Sequence, residues 1–464
     1  MTAEATEIHV PTPSAPVHVV EPGVRVRRGW LRCQIGDNIE FSTESLESYF
    51  FARWEPLAYE AMLVAAAAEF ADKTLRRPSR MWRRDIALRI PVLNPDRWND
   101  RSVSDSLHDA LNFLTGDIWH IEFYPRKQLM CAPQQSTLSL PPEVDAVIPF
   151  SNGMDSRAVA GLKEDEMGSK LVRVRIGSRI QDGEALSNQR QPFTFIPYHV
   201  RSGQRRFVES SARSRGFKFG LISALAAYLA DAKLVLVPES GQGALGPALV
   251  AVGQAYPDYR SHPLFTGRME KFVKALLGHQ VRYTFPQLWD TKAETLRKFI
   301  NQTKNPSWSA TWSCWQQNRH SSVNGKRRHC GIRAACMLRR LSVHAAGLAE
   351  PAESYVWENL GATSFWQGAA ADFDRRRITR AMREYAIAGT LHLDHFAGLR
   401  TSRINAPALR LSAFQLSKAL GISESDSQAK LDRLLKQHAE EWKTFVISLG
   451  ENSFVADWAL SARS

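Results

Sequence analysis

Apolar and polar positions change period several times along the chain. Residues 147–150 and 234–237 are short unbroken apolar runs, the pattern of strands buried on both faces, and 171–177 alternates as a half-buried strand does. Residues 157–162, the alanine-rich 220–230 and a stretch running to Leu277 read as helices between them. Strands alternating with helices predict a parallel α/β sheet. Ligands of such sheets bind at the carboxyl ends of the strands, which brings Ser151, Gly177 and Glu239 to one edge.

The flanks follow other patterns. Residues 24–127 are mixed: a helix over 46–73, strands at 86–92 and 118–124, and a helix over 104–113 capped by Ser104. This reads as a small independent lobe. Pro11, Pro13 and Pro16 predict a disordered lead through Val20, and the Pro-, Gln- and Ser-rich 131–142 a linker. Beyond 345 the period is helical, over 375–388, 412–420 and 426–446. The chain thus divides into an accessory α/β part (1–140), an α/β core (141–345) and a helical part (346–464).

Charge and cysteine count narrow the classes. Sixty Lys plus Arg against 47 Asp plus Glu leave +13, spread along the chain, which suits a nucleotide cleft and permits a nucleic-acid or acidic protein partner. Five unevenly spaced cysteines form no disulfide framework, so a reducing, cytoplasmic setting is expected. The first 20 residues lack a signal-peptide core, and no apolar window reaches membrane-spanning length. Trp82, Trp98 and Trp119 read as core.

The segment Ser151-Asn152-Gly153-Met154-Asp155-Ser156 carries the candidate chemistry. It joins a strand to a helix start, where unpaired backbone N–H groups attract phosphate. The hydroxyls of Ser151 and Ser156 add donors. Asp155 fits beside phosphate only if it caps the helix or meets a metal ion. No Walker lysine follows. Asn152 tolerates a left-handed backbone better than other non-glycine residues.

The loop resembles the SGGxDS pyrophosphate loop of ATP pyrophosphatases, with Asn152 at its first glycine. Tyr256 to Arg260, Pro286 to Glu294, and Cys314, Cys330 and Cys336 follow in the order of the QueC family, which makes 7-cyano-7-deazaguanine from 7-carboxy-7-deazaguanine, ammonia and ATP. The resemblance spans about residues 145–345. It departs at Tyr259, where the family has cysteine, and at Arg333, where the family has its third knuckle cysteine. The long flanks resemble the QueC-like proteins of bacterial anti-phage operons, such as the Qat system and one CBASS type.

The resemblance implies an α/β fold with a parallel-sheet PP-loop ATP pyrophosphatase core, adenine nucleotide alpha hydrolase-like. It implies ATP on Ser151, Asn152, Gly153, Met154, Asp155, Ser156, Gly177, Arg213 and Glu239, with Mg²⁺ nearest Asp155. Asp155, Ser156 and Arg215 are the expected catalytic residues. Zinc would bind Cys314, Cys330 and Cys336, with His329 or His320 as fourth ligand; alternatively Arg333 replaces the metal's charge by pairing with an acid. The implied reaction adenylates a 7-carboxy-7-deazaguanine-type carboxylate and passes it to an amine. That amine is ammonia, or belongs to a protein of the same defence operon. A non-catalytic nucleotide-binding scaffold is the competing reading.

Overall fold

The computed structural model describes residues 16–42, 56–77, 83–127, 143–176, 193–203, 206–209, 212–250, 256–314 and 321–459. The N-terminal part contains β1 (Val17–Val20), β2 (Leu31–Gln34), β3 (Ile39–Phe41), α1 (Pro56–Thr74), β4 (Asp85–Val92), α2 (Pro95–Asn99), α3 (Arg101–Thr115) and β5 (Ile118–Pro125). Its sheet has the order β2-β1-β4-β5, all parallel. Two expectations are corrected. Val17–Val20 is no disordered lead but a fully buried strand between β2 and β4, because the β-branched run after Pro16 outweighs the proline signal. Helix α3 starts three residues before Ser104 and is capped by Asp100, whose carboxylate accepts from the Ser102 and Val103 amides. Trp98 and Trp119 are buried as expected, and Trp82 lies outside the described residues.

The core part adds β6 (Ala146–Pro149), α4 (Met154–Met167), β7 (Leu171–Ile176), β8 (Phe193–Ile196), β9 (Tyr198–Val200), α5 (Arg215–Leu229), β10 (Leu234–Leu236), α6 (Gly241–Ala244), α7 (Gly246–Leu249), α8 (Pro263–Leu277), β11 (Arg282–Thr284) and α9 (Lys292–Thr303). The five-stranded sheet runs β11-β10-β6-β7-β8, all parallel. The chain moves from β6 out to β8, then crosses back to β10. The order therefore reverses beside β6, and in open α/β sheets the crevice for ligands lies outside the carboxyl ends of the strands at such a point. Strand β7 is not half-exposed: Arg173 and Arg175 are both buried, Arg173 against Glu164 and Arg175 against Asn152.

The N-terminal part is not an independent lobe. Strand β3 pairs antiparallel with β9, α1 packs on α5 and α3 on α8, and one hydrophobic core runs through both parts. A buried ion network reinforces the seam. Arg84 is held between Asp72 and Asp117, and the second Asp72 oxygen accepts from the Ser214 amide at 2.7 Å, one residue before α5 begins. Burial of these charges is tolerable because each is paired and hydrogen-bonded.

The remainder contains a short hairpin, β12 (Ser322–Val323) and β13 (Lys326–Arg327), then α10 (Ala334–Ala345), α11 (Arg380–Gly398), α12 (Ala406–Leu420), α13 (Glu424–Ser448) and α14 (Phe454–Trp458). The helical prediction holds with shifted bounds. Helix α11 starts at Arg380, where the Thr379 hydroxyl accepts from Met382 N. Helix α13 packs back onto the core part: Leu434 fills the space where a Cβ on Gly241 would sit. Among the described residues, no helix is long and apolar enough to cross a membrane.

Candidate active site

Strand β6 ends at Pro149, and the chain turns through Ser151, Asn152 and Gly153 into α4. No side chain caps this helix, so its first amides face the crevice without a protein cap. The Ser151 hydroxyl accepts from Gly153 N at 3.1 Å and lies 2.9 Å from the Ser156 hydroxyl. Asn152 does not use a left-handed backbone: among the described residues only Asp231, Lys304 and Asn324 do so without being glycine. The turn therefore tolerates asparagine. Asn152 is held instead by its partners, since its carbonyl accepts from Trp312 N at 2.7 Å and its side-chain oxygen from Arg175 at 3.4 Å. Met154 turns inward and packs with Leu296 and Phe299, so only its backbone belongs to the loop.

Asp155 is the chemical centre of the turn. One carboxylate oxygen pairs with Lys292, at the start of α9. The other is buried with no hydrogen-bond partner. An orphaned carboxylate oxygen is costly unless something outside the protein uses it, and it is the hard donor that Mg²⁺ prefers. Glu239, just past β10, joins the same group. Burial, and then the negative charge of Asp155, push its carboxyl up to about 7, while Lys292 and Arg260 oppose the shift. Two carboxylates sharing a site with one lysine fit a bound cation.

The cations of the crevice come from the start of α5 and from the loop before α8. Arg215, the first residue of α5, has its guanidinium lowered to about 10 by burial and by Arg260. Arg260 holds Asp258, whose carboxyl is lowered against the opposing effect of burial. These loops interlock closely: a Cβ on Gly216 would lie 2.8 Å from the Arg260 backbone. Arg213 turns away, donating to the Thr115 carbonyl at 3.0 Å, and so joins the N-terminal part rather than the loop. Gly177 lies outside the described residues. The structure thus groups Ser151, Asn152, Gly153, Asp155, Ser156 and Glu239. It adds Lys292, from the Pro286 to Glu294 segment, and Asp258 and Arg260, from the segment that the resemblance set beside the deazaguanine and not beside the loop. Lys292 is the largest omission. Its signal was available, since Thr291 and Glu294 form a capping box that fixes the helix start and hence the position of Lys292.

The cysteine cluster lies on the neighbouring flank of the loop. Trp312, two residues before Cys314, is the residue whose amide holds Asn152. Cys314, Cys330 and Cys336 are buried, with their sulfurs within 4.8 Å of one another. Cys330 and Cys336 sulfurs are 3.5 Å apart, and Cys330 N donates to Cys314 Sγ at 3.2 Å. Hydrogen bonding to Cys314 holds the Cys330 thiol up at about 11 and raises that of Cys336 further. Such thiols are inert unless a metal ion takes their protons. The spacing suits three of the four ligands of a tetrahedral site.

The two expected substitutes for the fourth ligand fare differently. His329 is not in the cluster; its ring stacks on Trp312 with centroids 4.3 Å apart, and burial lowers its pKa to about 4. His320 lies outside the described residues. Arg333 pairs with no acid among the described residues but lies over the Tyr385 ring at 4.3 Å. Comparison of the chain with protein-family models and with curated protein sequences gives no match to either.

Proposed function

We propose that this chain is an ATP-dependent, pyrophosphate-releasing C–N ligase of the QueC-like kind. It would adenylate a 7-carboxy-7-deazaguanine-type carboxylate and pass the acyl group to an amine. The observation that carries the reading is Asp155, seated at the crevice end of β6 with one oxygen on Lys292 and the other orphaned. A turn that served only packing would not leave a buried carboxylate oxygen unused.

In this reading the α4 amides and the Ser151 and Ser156 hydroxyls receive the β- and γ-phosphates. Lys292 and Arg215 supply fixed positive charge to the leaving pyrophosphate. Asp155 and Glu239 would hold Mg²⁺, which neutralises phosphate charge. The substrate carboxylate forms a bond to the α-phosphorus, and the bond from that phosphorus to the bridging oxygen breaks. The amine then displaces AMP from the acyl carbon and gives up its proton to solvent. Zinc on the three cysteines would be structural, bracing Trp312 and through it Asn152.

Both flanks are built into the crevice walls, through Asp72 to Ser214 and through α13 to α9. Their presence therefore does not select a protein acceptor over ammonia. Incubation with ATP, Mg²⁺ and 7-carboxy-7-deazaguanine tests the reading. Pyrophosphate release with a deazaguanine-sized gain in an operon partner's mass assigns a protein acceptor, and release with the free amide, or with the nitrile that a second ATP activation makes from it, assigns ammonia. No release in either case leaves a nucleotide-binding scaffold and removes the ligase.

A further inference from the structure

Lys292 does not stand on its own helix alone. Its backbone amide donates to the Gln242 side-chain oxygen at 2.8 Å. That contact orients the Gln242 amide, so its NH₂ faces His438 Nδ1 at 2.7 Å and must donate to it. His438 then carries its proton on Nε2, which donates to the Leu393 carbonyl at 2.9 Å. The ring is fully buried and neutral, its pKa lowered to about 4 by burial. A proton on Nδ1 would oppose the Gln242 amide, so this chain of bonds works in one protonation state only.

A second link runs beside the first. The Thr291 hydroxyl accepts from Glu294 N and donates to Glu441 Oε1 at 2.7 Å. Glu441 also accepts from Gln437 at 3.0 Å, and its other oxygen is buried without a partner. Both links begin on α13, three residues apart, and end on adjacent residues, Thr291 and Lys292. Leu434 on the same helix lies against Gly241, the residue before Gln242, where a Cβ would meet it.

We infer that helix α13 positions Lys292 against Asp155, with His438 acting through Gln242 and Glu441 acting through Thr291. These are positioning residues, because none reaches the Asp155 carboxylate. Simple packing between α13 and the core would need only apolar contact, which Leu431, Leu434 and Leu435 already supply. Two buried polar links converging on the start of α9 serve direction instead, since each costs desolvation that apolar contact avoids. The kinetic arm of the test rests on the ligase reading; the labelling arm does not.

The test uses the full chain and three variants. Gln242→Met keeps volume and removes both amide bonds. Thr291→Val removes the hydroxyl, and Thr291→Ser retains it. Acylation of Lys292 by a short pulse of an activated acetate ester is read by peptide mass spectrometry against Lys298, which is half-exposed. Gln242→Met and Thr291→Val should raise Lys292 labelling about fivefold as the α9 start loosens, while Thr291→Ser stays at the wild-type rate. Pyrophosphate release should show kcat about tenfold lower in the first two, with the KM for ATP little changed. Unchanged Lys292 labelling in both loosened variants overturns the inference even if pyrophosphate release by the wild type upholds the ligase. Raised labelling in a chain that releases no pyrophosphate keeps the inference and removes the ligase. Raised labelling with kcat unchanged overturns it, because the lysine's position would then not matter. Should Gln242→Met fail to fold, the Thr291→Val and Thr291→Ser pair decides alone.

Discussion

The crevice at β6 and the cysteine cluster beside it are joined through Trp312 and Asn152, yet they are built on opposite principles. The crevice gathers oxygen and nitrogen charges, leaves one Asp155 oxygen unused, and keeps Glu239 near its titration point. The cluster gathers three sulfurs, sets them in contact with one another, and holds the protons of Cys330 and Cys336 on more firmly. Unsatisfied charge marks a place where something comes and goes. Thiols in mutual contact mark a place that is either quiet or permanently metallated. Activity and stability should therefore separate cleanly between the two.

The largest effect expected is on activity alone. Asp155→Ala should lower pyrophosphate release about a thousandfold. The unfolding midpoint should stay near wild type, because the variant removes an unsatisfied buried oxygen and leaves Glu239 as the carboxylate beside Lys292. Large loss of stability with activity retained would reverse the roles given to the two regions. Next comes Cys336→Ala, which should strip any metal found by elemental analysis of the purified chain and cost about 3 kcal/mol in denaturant melts. Wild-type protein that is folded and metal-free would make the cluster a packed thiol core instead.

A smaller effect sharpens the contrast through pH. The Glu239 carboxyl is raised from 4.5 to about 7, so it carries charge only as pH rises through neutrality. Mg²⁺ binding should strengthen over that range. The raised value also contributes stability below pH 4.5 that is lost as pH rises through 7, and added Mg²⁺ should restore it. Isothermal titration from pH 6 to 8 should show about a tenfold gain in affinity, abolished in Glu239→Gln. The smallest effect concerns Arg333→Cys. Arg333 faces Tyr385, so the new thiol should change metal content little and cost about 0.5–1 kcal/mol in lost cation–π contact. A jump to tighter metal binding would show that the missing fourth ligand belongs at this position.

The two regions also differ in how far the sequence disclosed them. Residues 151–156 were legible because strand, turn and helix start are contiguous, and the strand–helix alternation predicted the parallel sheet around them. Lys292 and Arg260 were legible only as parts of family-like segments; their meeting with Asp155 was not, because they lie more than 100 residues away along the chain and the sequence gives no distance between them. The cysteines were legible as a spacing, but the turn of His329 onto Trp312 was not, since stacking is decided by tertiary packing. Strand β1 was hidden by the prolines before it, and β11 by its length of three residues. The interlocking of the N-terminal part rests on Asp72 meeting Ser214, a pairing that no local pattern announces.

The central claim is that the crevice spends ATP. Pyrophosphate release from the full chain with ATP, Mg²⁺ and 7-carboxy-7-deazaguanine, with an operon partner present and absent, tests it most directly. Release that depends on the deazaguanine and disappears in both Asp155→Ala and Lys292→Ala is the predicted result. No release under either condition, or release that survives both substitutions, would contradict it.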